Sequence, residues 1–145
     1  MTASHTLIAV IDTDIWFLQM MVEVLEDAGY KALSLYEDDL VVEILQHYKP
    51  RLAIIDISIV EPDRGWNLLT ALRQAPDTAT MPILVTSTLS SLLEQNMPYL
   101  RSQGCGTLIK PFDINTLIEK IGHFVPPTSG IDTLSWASAN TVCTE

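Results

Sequence analysis

Cysteine is nearly absent from this 145-residue chain: Cys105 and Cys143 are the only two, too few for a disulfide framework. Basic residues are scarce as well. Eight lysines and arginines stand against eighteen aspartates and glutamates, a net charge of −10. A chain so acidic has no electrostatic footprint for nucleic acid, and an anionic membrane surface would repel it. No stretch approaches the roughly 18 consecutive apolar residues of a membrane-spanning helix. The start, MTASHTLIAVID, lacks the basic head and long apolar run of a secretory signal. What is present suffices to fold: 48% of the residues are hydrophobic, enough for a proper core and against wholesale disorder. The length suits one domain. The expectation is a single acidic domain located in the cytoplasm.

Short apolar runs recur at regular intervals: Leu7–Ile11, Ala32–Leu35, Leu52–Ile55, Ile83–Val85 and Thr107–Ile109. Their length and flanking breakers predict buried strands rather than helices. Between them the apolar spacing is helical. The first helix carries Ile15, Leu18, Val22 and Leu25, with Gly29 placed as a stop, and Asp14 reads first as its cap. The second carries Val41, Ile44, Leu45 and Tyr48 and is closed by Pro50; the third carries Leu68, Leu69 and Leu72 before Pro76. Ser91-x-x-Glu94 has the capping-box pattern and predicts the start of the fourth, in which Pro98 predicts a kink or split. Asp113 is placed as cap of the fifth, which runs on Ile114, Leu117, Ile118, Ile121 and Val125. Five strand–helix alternations predict a doubly wound α/β fold, a parallel sheet covered on both faces. After Val125 the composition shifts to Pro, Ser, Thr, Asn and Ala, so 126–145 is expected to be a flexible tail on a domain spanning 6–125.

In an open parallel sheet, ligands bind at the carboxyl ends of the strands. The polar residues expected there are Asp12, Thr13 and Asp14 after the first strand, Asp56 after the third, Thr86 and Ser87 after the fourth, and Lys110 after the fifth. Singly, each has an ordinary structural role. Asp56 is the hardest to dismiss, because an acid flanked by Ile55 and Ile57 costs desolvation unless it is paired. Together, carboxylates, a hydroxyl and a lysine on one rim suit a hard cation and a phosphoryl group.

With these residues in view, the chain resembles the CheY-like receiver domain of bacterial response regulators over roughly 6–125. The resemblance rests on LIAVIDTD, RLAIIDIS, RGWNLLTALR, MPILVTS and TLIKPF, with Lys110-Pro111-Phe112 the most specific piece. It implies a flavodoxin-like five-stranded sheet in order 2-1-3-4-5. It also implies that Asp56 accepts a phosphoryl group from a histidine kinase or phosphotransfer protein, with Mg²⁺ bound. Asp12, Asp56 and the backbone carbonyl of Ser58 would hold the metal, with Thr13 or Asp14 as alternatives for a remaining place. Thr86 and Lys110 would contact the phosphoryl oxygens, and the Lys110–Pro111 bond would be cis. Four departures shape the expectations. Thr13 stands where the family has a second acid, so weak Mg²⁺ binding is expected. Thr107 occupies the position of the aromatic switch. The loop from Asp56 to Gly65 is one residue longer than usual. Pro98 interrupts the fourth helix, and with no aromatic at 107 the mobile element is expected to be 86–100.

The reading is a stand-alone receiver, a phosphoryl acceptor rather than a conventional enzyme, whose output is contact with a downstream protein; a homodimer is one form of that contact. The alternative is a pseudo-receiver, an interaction module in which Thr13 has weakened the chemistry. A phosphatase of the haloacid-dehalogenase type, with Asp12 as nucleophile and Asp14 as acid/base, fits less well because it leaves Asp56 without a role.

Overall fold

The computed structural model describes residues 6–38, 40–58 and 60–125. The expected tail 126–145 therefore lies outside the described residues. Five strands, β1 (Leu7–Asp12), β2 (Lys31–Tyr36), β3 (Leu52–Asp56), β4 (Ile83–Ser87) and β5 (Cys105–Ile109), form one sheet in order β2-β1-β3-β4-β5. Every pairing is parallel. That is the order the family resemblance implies, and one that right-handed crossovers allow.

Alternation along the strands sorts the core into two layers. Ala9, Ile11, Ala53, Ile55, Ile83 and Val85 face one way and are covered by α2 (Val41–Tyr48), α3 (Pro62–Gln74), α4 (Ser90–Gln95) and α5 (Met97–Ser102). Ile8, Val10, Leu52, Ile54, Leu84 and Leu108 face the other way, under α1 (Ile15–Asp27) and α6 (Ile114–Phe124). Central strands buried on both faces explain why the sequence reads there as unbroken apolar runs.

Helix boundaries follow local chemistry. Asp14 caps α1, its Oδ1 accepting from the Trp16 and Phe17 amides at 3.0 and 3.2 Å. Gly29, at φ +94°, turns the chain after α1, as its place in the sequence predicts. The helix ahead of Pro50 already ends at Tyr48, with Lys49 in the left-handed region at φ 49°. Gly65 in α3 lies against Ile57; a Cβ there would collide with that side chain, so glycine is what lets α3 approach the chain just beyond Asp56.

Two expectations need correction. Among the described residues six helices flank the sheet rather than five, because the fourth divides at Asn96, the split that Pro98 predicts; Asn96 ends α4 and begins α5. Pro98 sits at the second position of α5, where an amide has no intrahelical acceptor, so the split costs no backbone bond at that residue. The capping box is also absent. The helix begins at Ser90 after Leu89, no side chain caps it, and Ser91 lies inside its first turn. Ser87 accounts for this by accepting the Leu89 amide at 3.1 Å, which sets the turn earlier than the Ser91 pattern implies. Asp113 does stand at the cap position of α6, but without a side-chain bond.

Candidate functional site

The strands run slightly further than the apolar runs suggest, and the extra residues are the polar ones. Asp12 ends β1, Asp56 ends β3, and Thr86 lies in β4 directly opposite Asp56 in register. Lys110 follows β5, its amide bonded to the Ser87 carbonyl at 2.8 Å. The Lys110–Pro111 bond is cis.

The side chains converge. Lys110 Nζ lies 2.6 Å from Asp12 Oδ2 and 3.1 Å from Asp56 Oδ1. Thr86 Oγ1 donates to the same Asp56 Oδ1 at 3.2 Å. The other oxygen of Asp12 accepts the Thr13 and Asp14 amides at 2.7 and 3.0 Å, so both oxygens of this 2% exposed carboxylate have partners. Asp56 Oδ2 takes neither the lysine nor the threonine bond. Burial pushes the Asp56 carboxyl above the usual carboxylate range; Lys110 opposes this and Asp12 adds to it.

The remaining expected residues are placed as follows. Thr13 and Asp14 are exposed, and Asp14 is turned to the start of α1 as its cap. Ser58 follows Asp56 closely, its hydroxyl accepting from the Val60 and Glu61 amides. Thr107 is half-buried in β5, opposite Val85.

One acid went unnoticed in the sequence. Glu37, directly after β2, is 6% exposed and its amide bonds the Asp12 carbonyl. Burial raises its pKa, the Arg64 guanidinium at 3.6 Å lowers it, and the charges of Asp56 and Asp12 raise it again. A signal was there, an acid at a strand end, but β2 is a half-exposed edge strand and gives no apolar run for Glu37 to terminate.

The donor set suits Mg²⁺. That ion takes hard oxygen ligands, typically one or two carboxylates plus phosphate oxygens and water. Asp12 and Asp56 supply two carboxylates beside one another, and the Ser58 carbonyl a neutral oxygen close in sequence. Among the described residues no group of three or more acids, histidines or cysteines could hold a metal, in keeping with a threonine at position 13.

A five-stranded doubly wound sheet with two acids, a hydroxyl and a lysine on its carboxyl rim makes an α/β domain whose rim has the chemistry to suit a phosphoryl group. Residues 8–122 match the family described as "Response regulator receiver domain", and the chain belongs to that family. Its fold is similar to that of the chemotaxis response regulator CheY4 of Vibrio cholerae, with TM-score 0.72 and 24% identity, over 84% of this chain and 100% of that one. It is similar also to a sensor protein from Polaromonas sp. JS666, with TM-score 0.73 and 22% identity over 83% and 96% of the two chains. The signal receiver domain of a signal transduction histidine kinase from Syntrophus aciditrophicus aligns with TM-score 0.69 and 20% identity over 83% and 89%. No curated protein matches the chain. This is a CheY-like receiver domain of two-component signalling, and among the described residues no helix is long and apolar enough to cross a membrane.

Proposed function

We propose that Asp56 accepts a phosphoryl group from the phosphohistidine of a histidine kinase or phosphotransfer protein. The chain then acts as a stand-alone receiver, signalling by contact with a separate protein. The observation that carries this is Asp56 itself, an acid at a buried strand end bonded to both Lys110 and Thr86.

In this reading Asp56 Oδ2 attacks phosphorus. The new O–P bond forms as the donor's P–N bond breaks, and the electron pair leaves with the imidazole nitrogen. Lys110 then offsets charge on the phosphoryl oxygens, and Thr86 donates its hydroxyl to one of them. Asp12 holds Lys110 at the rim throughout. Asp12, Asp56 and the Ser58 carbonyl would hold Mg²⁺, which would supply further positive charge at the site. Docking of a donor over the rim is supported by exposed apolar residues around it: Ile15, Trp16, Val60, Leu89 and Ile114 follow the ends of β1, β3, β4 and β5.

Incubation with acetyl phosphate, with and without Mg²⁺, tests the reading by intact mass. The protein should gain one phosphoryl group, Asp56→Asn should gain none, and Asp12→Asn should gain it more slowly. Absence of any gain in the unsubstituted protein would favour the pseudo-receiver instead.

A further inference from the structure

Lys110 has a third neighbour that its acids do not account for. Its Nζ lies 3.8 Å from the centroid of the Phe17 ring, over the face. The Lys110 side chain is only 13% exposed, so this contact is made largely out of water, where a cation over a ring face counts for more. The ring is itself fixed from two directions. Phe112, two residues beyond Lys110, meets it edge-on at 6.0 Å and 77°. The Phe17 amide is bound by the Asp14 cap, so the first turn of α1 sets where the ring stands. A neutral apolar wall fills one side of the ammonium while Asp12 and Asp56 fill others.

We propose that Phe17 is a positioning residue for phosphoryl transfer, its ring face holding the Lys110 ammonium at the junction of Asp12 and Asp56. This rests on the acceptor role of Asp56 given above. Transfer from acetyl phosphate forms the Asp56 O–P bond and breaks the donor's P–O bond, and acetate leaves with the electron pair. Through that exchange the ammonium turns from a carboxylate oxygen to a phosphoryl oxygen. The ring constrains it to this short path, because it offers attraction without a competing hydrogen-bond acceptor. Asp14 acts one step further back: it fixes the helix start, which fixes the ring, which holds the lysine.

The test is the initial rate of phosphoryl gain from acetyl phosphate at fixed Mg²⁺, followed by intact mass in the full chain. Phe17→Leu keeps an apolar side chain and should slow the reaction roughly 3- to 30-fold, the range of a cation–ring contact. Phe17→Tyr, with an equally electron-rich face, should restore it. Pentafluorophenylalanine at position 17 keeps the ring's outline but makes its face electropositive, and should be as slow as leucine. The Lys110 Nζ resonance should shift upfield in the unmodified protein from the ring current and lose that shift in Phe17→Leu. A leucine variant as fast as the unsubstituted protein, or a pentafluorophenylalanine variant matching phenylalanine, overturns the proposal. The two readings separate cleanly. No phosphoryl gain in the unsubstituted protein overturns the function and this inference with it; gain that depends on Asp56 but not on the ring overturns the inference alone.

Discussion

Asp56 carries opposed demands. Burial disfavours its charge, the neighbouring Asp12 disfavours it further, and Lys110 favours it. Its folded pKa lies above the ordinary value, so the folded protein binds the proton more tightly than the unfolded chain does. That linkage stabilises the fold below the ordinary carboxylate range and is lost as pH rises through the raised pKa. Asp56→Asn removes the buried charge while Lys110 keeps Asp12 at 2.6 Å. The variant should therefore melt higher than the unsubstituted protein at pH 7, and the gap should close as pH falls toward 4, in thermal melts across that range. Position 13 is where metal affinity is expected to be tunable. Thr13→Asp adds a charged oxygen ligand beside Asp12 and should tighten Mg²⁺ binding by about tenfold or more, read by calorimetry. Equal affinity in the two proteins would mean another group already fills that place. Asp12, Asp56 and Thr86 were legible in the sequence because each ends or follows a buried apolar run, and Lys110 because Pro111-Phe112 follows it. Phe17 was legible only as a helix residue. Its contact with Lys110 spans nearly the whole domain, and no local pattern encodes it.

The helices show where local rules suffice and where they do not. The Asp14 cap and the Gly29 stop read correctly because one residue decides each. The Ser91 pattern misled because Ser87, four residues earlier and inside β4, had already set the turn. The division at Asn96 makes two elements with different attachments. α5 is tied to α3: Tyr99 packs edge-on against Trp66 at 6.2 Å, its hydroxyl lies 3.3 Å from Thr70 Oγ1, and Arg73 bonds the Gln103 carbonyl at 3.0 Å. Among the described residues no such polar tie joins α4 to α3; α4 packs through Leu92 and Leu93. Thr86 is bonded to Asp56 and leads directly into α4. Of the segment expected to move, 86–100, the first part should respond and the second should not. Hydrogen exchange before and after phosphorylation should change mainly in 87–96, with 97–103 unchanged. An equal change across both halves would show that the Asn96 division has no mechanical meaning.

At the scale of the molecule, the parallel sheet was legible because strands alternate with helices, and its order because the family resemblance picks one of the few arrangements that crossovers allow. The site inherited that legibility, since a parallel sheet brings all its strand ends to one side. Closure of the chain was not legible. Tyr30, just before β2, donates its hydroxyl to the Val125 carbonyl after α6 at 2.9 Å, and burial pushes its pKa up to about 12. The raised value means its contribution is complete below the ordinary pKa of 10.0 and is lost as pH rises through about 12. Tyr30→Phe should cost about 1 kcal/mol at neutral pH, as for one net hydrogen bond. It should also flatten the fall in stability between pH 10 and 12, measured by denaturant titration. The position of β1 has a consequence for assembly. It sits between β2 and β3, so Asp12 and Asp56 are brought together at the centre of the sheet, whereas Lys110 follows β5 at its edge. A domain that folds as one unit joins these two contributions in a single event. Any local opening that peels β5 from the edge would leave the two acids facing one another with no ammonium between them.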